Sequence, residues 1–457
     1  MENFNMPQAL DYELTHRYDA VDISDAEFDR LIAAASWRTQ PEFLRRGRVA
    51  RHILQEPAHL KKHPEQALTV AKLKGVGVYD PAALGKYRDR ILGEFSDEPL
   101  PPTTIPLDSF ATYPHMGINK QGEYALVYGA VAPVGGIIYE RALREYRNAK
   151  TLYEHGIPTI IPLAVLEYKG MEFKGEPMGA AITLSSEAAP YRLAEVQYLA
   201  ATQRGKDPEA DVYYDKIVAS LGIDGDPSTE TVRLQTINIL SRQIGKLMRD
   251  FSLAGLYRYS PEWSNFEFSF ERKEVFLTDL DSVRDLDELS IENQHLQVLR
   301  DLGSLVYRLV AKFGTPSSLG HYQLKNLLSY DPLSETLLGY FTPEEVSEAE
   351  VRAVSRKLWN AFIPYLLLLN KHRTAIQSEW SSERRRSYKM DHDLFYILAI
   401  STLYPLFEKS ALSKQFTFNL TQDELMEKAE RYLGERYAYL EYLLAFEQDE
   451  DVFYGKR

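Results

Sequence analysis

Residues 257–282, YRYSPEWSNFEFSFERKEVFLTDLDS, constrain the fold of this chain more than any other stretch. Two short apolar runs, FEFSF (266–270) and VFL (275–277), flank the charged tetrad Glu271-Arg272-Lys273-Glu274. Such runs around a polar turn are the pattern of a β-hairpin. Asn265 stands at its entrance and Asp279, fourteen residues later, at its exit. A hairpin returns its exit to its entrance, so an amide oxygen and a carboxylate would share one end, close enough for one hard cation. A local account competes with this one. Asn and Asp also close turns, and these two side chains could do no more than cap the ends of the hairpin.

The bulk of the chain narrows the class. With 457 residues and 44% hydrophobic content, it can bury two or three domain cores. A formal charge of -13 argues against general nucleic-acid binding, and no nucleic-acid partner is expected. There are no cysteines, which excludes disulfides, thiolate catalysis and thiolate-ligated metals and fits a reducing compartment. The N-terminal stretch MENFNMPQALDYELTHRYDA has neither a basic start nor an apolar core, so no secretory signal is expected. The longest apolar stretch, FIPYLLLL (362–369), is too short to cross a bilayer. A cytoplasmic protein with no membrane partner is the expectation. The ten histidines form no HExxH-like pair, so a zinc site is not expected.

Along the chain, residues 1–40 read as a mostly helical lead-in, because ISDAEFDRLIAAAS (23–36) places a Ser or Asp cap before an apolar-periodic run. Strands are expected within 43–54, 67–77, 122–131, 160–170 and 178–186, most of them bounded by Gly, Pro or charged turns. A helix over 139–156 carries Ala142, Tyr146, Ala149 and Tyr153 at helical spacing and stops at Gly156, with Pro158 just beyond. From about 192 the pattern is helical, over 231–255 and 292–314, with three or four more helices after 330. No internal repeat is found. The expected organisation is α+β and two-lobed: a β-rich lobe over 41–190 with an insertion at about 78–138, a helical lobe over 191–330, and a helical extension over 331–457.

The order of three motifs resembles the protein-kinase-like superfamily. LKGVG (73–77) comes first, then REYRNAKTLYEHGIPTIIPLAV (144–165), then the hairpin with Asn265 and Asp279. Within that superfamily the chain is similar to the selenoprotein O family. Its pattern pairs a Leu-Lys-Gly-Ala-Gly strand end with a helix reading Arg-Glu-Phe and then Gly-Ile-Pro-Thr; LKGVG, REY and GIPT stand in those places here, and the similarity spans about 43–314. The resemblance implies a protein-kinase-like fold with a β-rich N-lobe, a helical C-lobe and a helical extension. It also implies ATP with Mg²⁺ or Mn²⁺ in the cleft between the lobes and transfer of AMP to a protein hydroxyl. Phosphoryl transfer to a protein or small-molecule hydroxyl, and nucleotide binding without turnover in a pseudokinase, are the alternatives.

Carried onto this sequence, the resemblance makes Lys74 the strand lysine that meets nucleotide phosphates and Glu145 its helix partner. Asn265 and Asp279 take the metal-ligand places. Asp281, two residues on, would point to the same side of an extended segment, where it either widens the metal site or caps the next turn. Asp301 resembles the helix aspartate that braces the catalytic loop. In RRGRVARH (45–52), Gly47 and Arg48 would stand against phosphates through charge-assisted hydrogen bonds, a solvated basic strand being the alternative. The departures concern catalysis. Ser260 occupies the place of the catalytic-loop aspartate, five residues before Asn265, and Arg258 that of the histidine before it. Glu262 is the one carboxylate inside the loop and the candidate substitute base, a solvent-facing loop residue being the alternative. The connection VRDLDELSI (283–291) is too short for an activation segment controlled by phosphorylation.

Overall fold

The computed structural model describes residues 9–43, 49–76, 113–118, 124–129, 137–173, 175–186, 191–193, 208–258, 261–313, 322–373 and 381–445. Backbone contacts sort the chain into two compact units. The first comprises Met1–Tyr113, Tyr128–Pro190 and Leu277–Val283; the second comprises Pro114–Val127, Tyr191–Phe276 and Arg284–Arg457.

An antiparallel sheet forms the first unit. In chain order its elements are β1 (Tyr12–Arg17), β2 (Val21–Asp22), helix α1 (Asp25–Ala35), β3 (Glu42–Phe43), β4 (Val49–Leu60) and β5 (His63–Lys74). After the hairpin of β6 (Tyr113–Ile118) and β7 (Tyr124–Gly129), which pair only with each other among the described strands, come β8 (Ile137–Ile138), helix α2 (Tyr139–Glu154), β9 (Ile161–Phe173) and β10 (Glu176–Ser185). The sheet runs β1-β9-β10-β5-β4-β2, with β3 added to β4 and β8 to β10. The inner strands β5 and β10 end in long apolar stretches, and Ala181 to Ser185 are all buried. Strands covered on both faces lose the alternation that marks a half-exposed strand. Helix α2 buries Ala142, Leu143, Tyr146, Ala149 and Leu152 while Arg147 faces solvent, an amphipathic split at helical spacing.

The register places Lys74, the last residue of β5, opposite Ala181 on β10 and Val49 on β4. Gly75 follows with φ +92°, and a Cβ there would lie 2.4 Å from the Gly179 carbonyl oxygen. Only glycine permits both that conformation and that approach, so the chain can turn away immediately after the lysine.

The lead-in departs from the sequence expectation. Helix α1 forms, and the Ser24 side chain caps it by accepting from the Glu27 N–H at 3.3 Å. Tyr12–Arg17, however, is an edge strand of the sheet, paired with β9 from Tyr12 opposite Tyr168 to Arg17 opposite Ala164. Its sequence, YELTHR, is largely polar, and it becomes a strand because β9 presents an unpaired edge. Strand β4 likewise runs past Leu54 to Leu60. Its register shifts between Ile53 and Ala58, and this irregularity accommodates Pro57.

The second unit is mainly helical, with α3 (Pro208–Ser220), α4 (Glu230–Leu253), α5 (Ile291–Phe313), α6 (Leu324–Tyr330) and α7 (Pro332–Tyr340). Then follow α8 (Glu348–Arg373), α9 (Ser382–Phe407), α10 (Ala411–Lys414), α11 (Gln422–Leu433) and α12 (Tyr437–Ala445). The described residues after 330 thus hold six α-helices where three or four are expected: two of 26 residues and four shorter ones. Short strands β11 (Leu256–Tyr257) and β14 (Arg284–Asp285) pair, and the expected hairpin is formed by β12 (Phe266–Ser269) and β13 (Glu274–Leu277). Helices α4 and α7 meet through glycines. A Cβ on Gly245 would fall 2.0 Å from Thr336 O, and one on Gly339 2.0 Å from Arg242 O. Buried Asp331, at φ +49°, joins α7 to α8 by accepting from Ser334 N at 3.1 Å, Ser355 Oγ at 2.6 Å and Trp359 Nε1 at 3.0 Å.

Candidate functional site

In the first unit one buried ammonium gathers three carboxylates. Lys74 Nζ lies 2.7 Å from Asp279 Oδ1, 3.0 Å from Glu145 Oε2 and 3.1 Å from Asp281 Oδ1. Arg141 Nη2 lies 2.7 Å from the other oxygen of Asp281. Lys74, Glu145 and Asp281 are buried, whereas the Asp279 side chain is 25% exposed. In these contacts among the described residues three carboxylates face two cations, a formal surplus of one negative charge. Burial acts to lower the Lys74 pKa, but Asp279, Asp281 and Glu145 outweigh it and hold the value above that of an ordinary lysine. The ammonium therefore stays charged. Burial raises the Glu145 pKa; Lys74 opposes the rise, and Asp281 and Asp279 add to it.

Two pieces of local structure bring the aspartates to Lys74. Leu277 groups with the strand unit: its N–H donates to Pro158 O at 2.9 Å, and its carbonyl accepts from Ile160 N at 3.3 Å. Asp279 then adopts φ +60° and ψ +58°, a left-handed conformation that few residues other than glycine take, and a 3₁₀ turn over Leu280–Ser282 follows. Asp279 and Asp281 are therefore not alternate residues of an extended segment, as the sequence suggests. The turn, not strand alternation, points both at the lysine, and the oxygens of Asp281 meet Lys74 and Arg141.

Two residues of this cluster were not singled out from sequence. Arg141 and Asn148 share a face of α2 with Glu145, at spacings of four and three residues. The Asn148 side-chain N–H groups donate to Leu280 O at 2.7 Å and Val283 O at 3.0 Å. The signal available in sequence was polar residues sharing the stripe that carries Glu145.

In the second unit Asn265 and Glu262 cap each other. Asn265 ends a 3₁₀ turn over Trp263–Asn265, and its side-chain oxygen accepts from Glu262 N at 2.9 Å. The Glu262 carboxylate accepts in return from the Asn265 N–H, and from Ser264 Oγ at 2.6 Å. The amide oxygen of Asn265 thus closes a turn, as the local account expects, and keeps a second lone pair beyond that bond. Asp301 braces the same loop. Its carboxylate accepts from Arg258 N at 2.6 Å and Gln297 Nε2 at 2.9 Å, and burial pushes its pKa up to about 7 against the Arg258 N–H and the Arg300 charge. Gly47, Arg48 and Ser260 lie outside the described residues.

Among the described residues no group of three or more His, Cys, Asp or Glu side chains is arranged to hold a metal ion by itself. Mg²⁺ does not require such a cage, because it commonly takes one or two carboxylates and completes its octahedron with water and substrate phosphates. A part-exposed Asp279 in a cluster with surplus negative charge fits that donor set.

No protein-family model and no curated protein matches the chain. Among solved structures it is similar to the kinase domain of a Toxoplasma gondii specific rhoptry antigen, at 11% identity over 73% of this chain and 91% of that one, with a TM-score of 0.27. It is also similar to ROP2 from Toxoplasma gondii, a virulence factor described as having a protein-kinase fold and no enzymatic activity. There the identity is 13% over 76% of this chain and 94% of that one, with a TM-score of 0.26. The architecture is α+β, with an antiparallel sheet in one unit and mainly helices in the other. A lysine at the end of a sheet strand, a glutamate on the helix that follows and an aspartate after a later hairpin meet at one point.

Proposed function

We propose that the chain binds ATP with Mg²⁺ or Mn²⁺ and transfers AMP to a hydroxyl of a protein, the activity of the selenoprotein O family that LKGVG, REY and GIPT resemble. The observation that carries the nucleotide assignment is the buried Lys74 ammonium held between Glu145 at 3.0 Å and Asp279 at 2.7 Å. A lysine fixed in this way by a helix glutamate is the element that sets a positive charge against nucleotide phosphates. Asp279 and Asp281 would hold the metal, which supplies charge neutralisation to the phosphates when bound. Lys74 would orient the phosphates, and Glu145 keeps Lys74 charged and in place. Orientation and preorganised charge supply most of the acceleration in such transfers. As the hydroxyl oxygen bonds to the α-phosphorus of ATP and pyrophosphate leaves, Glu262 would accept the hydroxyl proton, a contribution worth about 10²- to 10⁴-fold.

A second reading, nucleotide binding without turnover, is favoured by one observation: the Asn265 side chain is engaged in its turn, in a loop that carries Ser260 at the place of the usual base. Phosphoryl transfer to a protein or small-molecule hydroxyl is a third outcome of the same test. ATP with either metal should raise the melting temperature, since a ligand at 100 times its Kd stabilises the native state by about 2.7 kcal/mol. Asp279→Ala should remove the metal-dependent part. Absence of any shift at millimolar ATP with either metal refutes the nucleotide assignment. Mass spectrometry after incubation with ATP then separates the readings, as a gain of adenylate, a gain of phosphate, or binding with neither.

A further inference from the structure

We propose that Asn148 and Arg141 are positioning residues that clip residues 279–283 to helix α2, so that Asp279 is presented to Lys74 by the helix carrying Glu145 and not by the hairpin it follows in sequence. The grouping of the backbone is the first observation. Leu277–Val283 belongs to the strand unit, although the stretches on either side, Tyr191–Phe276 and Arg284–Arg457, belong to the other unit. Asn148 is the second. It is buried, and its single amide group donates to both Leu280 O and Val283 O, the two carbonyls that bracket the 3₁₀ turn. The turn also closes on itself, with Val283 N donating to Leu280 O at 3.1 Å. Arg141 is the third, reaching Asp281 from one helical turn before Glu145.

These contacts account for the backbone of Asp279. A left-handed aspartate persists only where its surroundings over-determine it. Here Leu277 is bonded to Pro158 and Ile160 on one side, and the carbonyls of Leu280 and Val283 are bonded to Asn148 on the other. An apolar side chain at 148 would fill the space but leave two carbonyls without that donor. Lys74, Glu145, Asp279 and Asp281 then form a single assembly within one unit. The consequence for ligand binding rests on the proposed role of Asp279 as a metal ligand; the clip itself does not.

The test uses the full chain with Asn148→Leu and, because that change is buried, the milder Arg141→Gln at a part-exposed position. Hydrogen exchange is followed by mass spectrometry on a peptide covering 278–284, with peptides of β5 and α2 as internal controls of folding. Exchange of 278–284 should be about tenfold faster in Asn148→Leu, the effect of losing roughly 1.4 kcal/mol of hydrogen bonding, and faster by a smaller factor in Arg141→Gln. Affinity for ATP with Mn²⁺ should fall about tenfold in Asn148→Leu. Unchanged exchange of 278–284 in both variants overturns the clip. Faster exchange with unaltered ATP affinity overturns the positioning role and leaves a structural contact. Faster exchange in a chain whose wild type binds no nucleotide upholds the clip and overturns the nucleotide assignment, so the two failures are distinguishable.

Discussion

Lys74→Met is the most demanding perturbation of the proposed site, because it removes the charge on which three carboxylates converge. The side chains of Glu145 and Asp281 are 4% and 3% exposed, so neither can recover hydration where it stands; Asp279, at 25%, has access to solvent. Arg141, 2.7 Å from Asp281, would remain, while Glu145 would lose the ammonium it pairs with. Removing one member of a buried ion pair costs about 3–5 kcal/mol, mostly through the charge left behind. A whole domain is stabilised by only about 5–15 kcal/mol, so urea denaturation should register the loss clearly. Glu145→Gln should cost much less, about 1 kcal/mol, because the amide oxygen can still accept from the ammonium, which keeps two carboxylates. The Lys74→Met/Glu145→Gln double variant should be more stable than Lys74→Met alone, since it removes the stranded charge; the difference in a double-mutant cycle is the coupling energy. The reasoning is refuted if Lys74→Met costs under 1 kcal/mol, or if the second substitution adds its full cost to the first. Either result would mean that the cluster relaxes into solvent and is not a built site.

Two further predictions concern the helical unit. Burial raises the Asp301 pKa to about 7, well above the usual carboxylate range, so between that range and pH 7 the native state binds more protons than the unfolded chain and stability falls as pH rises through the window. Asp301→Asn cannot titrate, and its stability relative to wild type should therefore improve between pH 4 and 8, by roughly 4 kcal/mol at most; parallel stability curves over that range would contradict the shift. Gly245→Ala would drive a methyl group to 2.0 Å from Thr336 O, forcing α4 and α7 apart. Its cost should be about 1–3 kcal/mol in urea. Adding Gly339→Ala should cost less than it does alone, because one separation of the helices relieves both contacts; strict additivity would show two independent sites.

Much of the site was legible in sequence because its signals are local. The hairpin follows from apolar runs around Glu271-Arg272-Lys273-Glu274, and Lys74 and Glu145 are implied by the resemblance that LKGVG and REY carry. Helix α2 follows from Ala142, Tyr146 and Ala149, and its Glu145 does lie 3.0 Å from Lys74. Other parts had no such signal. The sequence supports equally a metal-binding and a turn-capping Asn265, since both use the same oxygen at the entrance of the same hairpin; that this oxygen accepts from Glu262 N is visible only in the structure. Asp281 was placed by assuming an extended segment, an assumption overturned by the left-handed backbone of Asp279, which the local sequence does not encode.

What the amino-acid sequence determined by itself is the hairpin, the longer helices and most of the inner strands, with the order of the charged residues on them. Periodicity, turn chemistry and glycine placement act over a few residues and survive without tertiary context. The tertiary structure alone decided which of those residues meet. YELTHR becomes a strand because β9 offers it an edge; residues 277–283 join the sheet unit because Pro158, Ile160 and Asn148 bond them there; and Lys74 and Asp279 lie 2.7 Å apart across 205 residues of chain. Backbone carbonyls, sheet edges and buried charges are satisfied by whichever groups the fold brings within reach, and at such separations in sequence no local pattern records the partner.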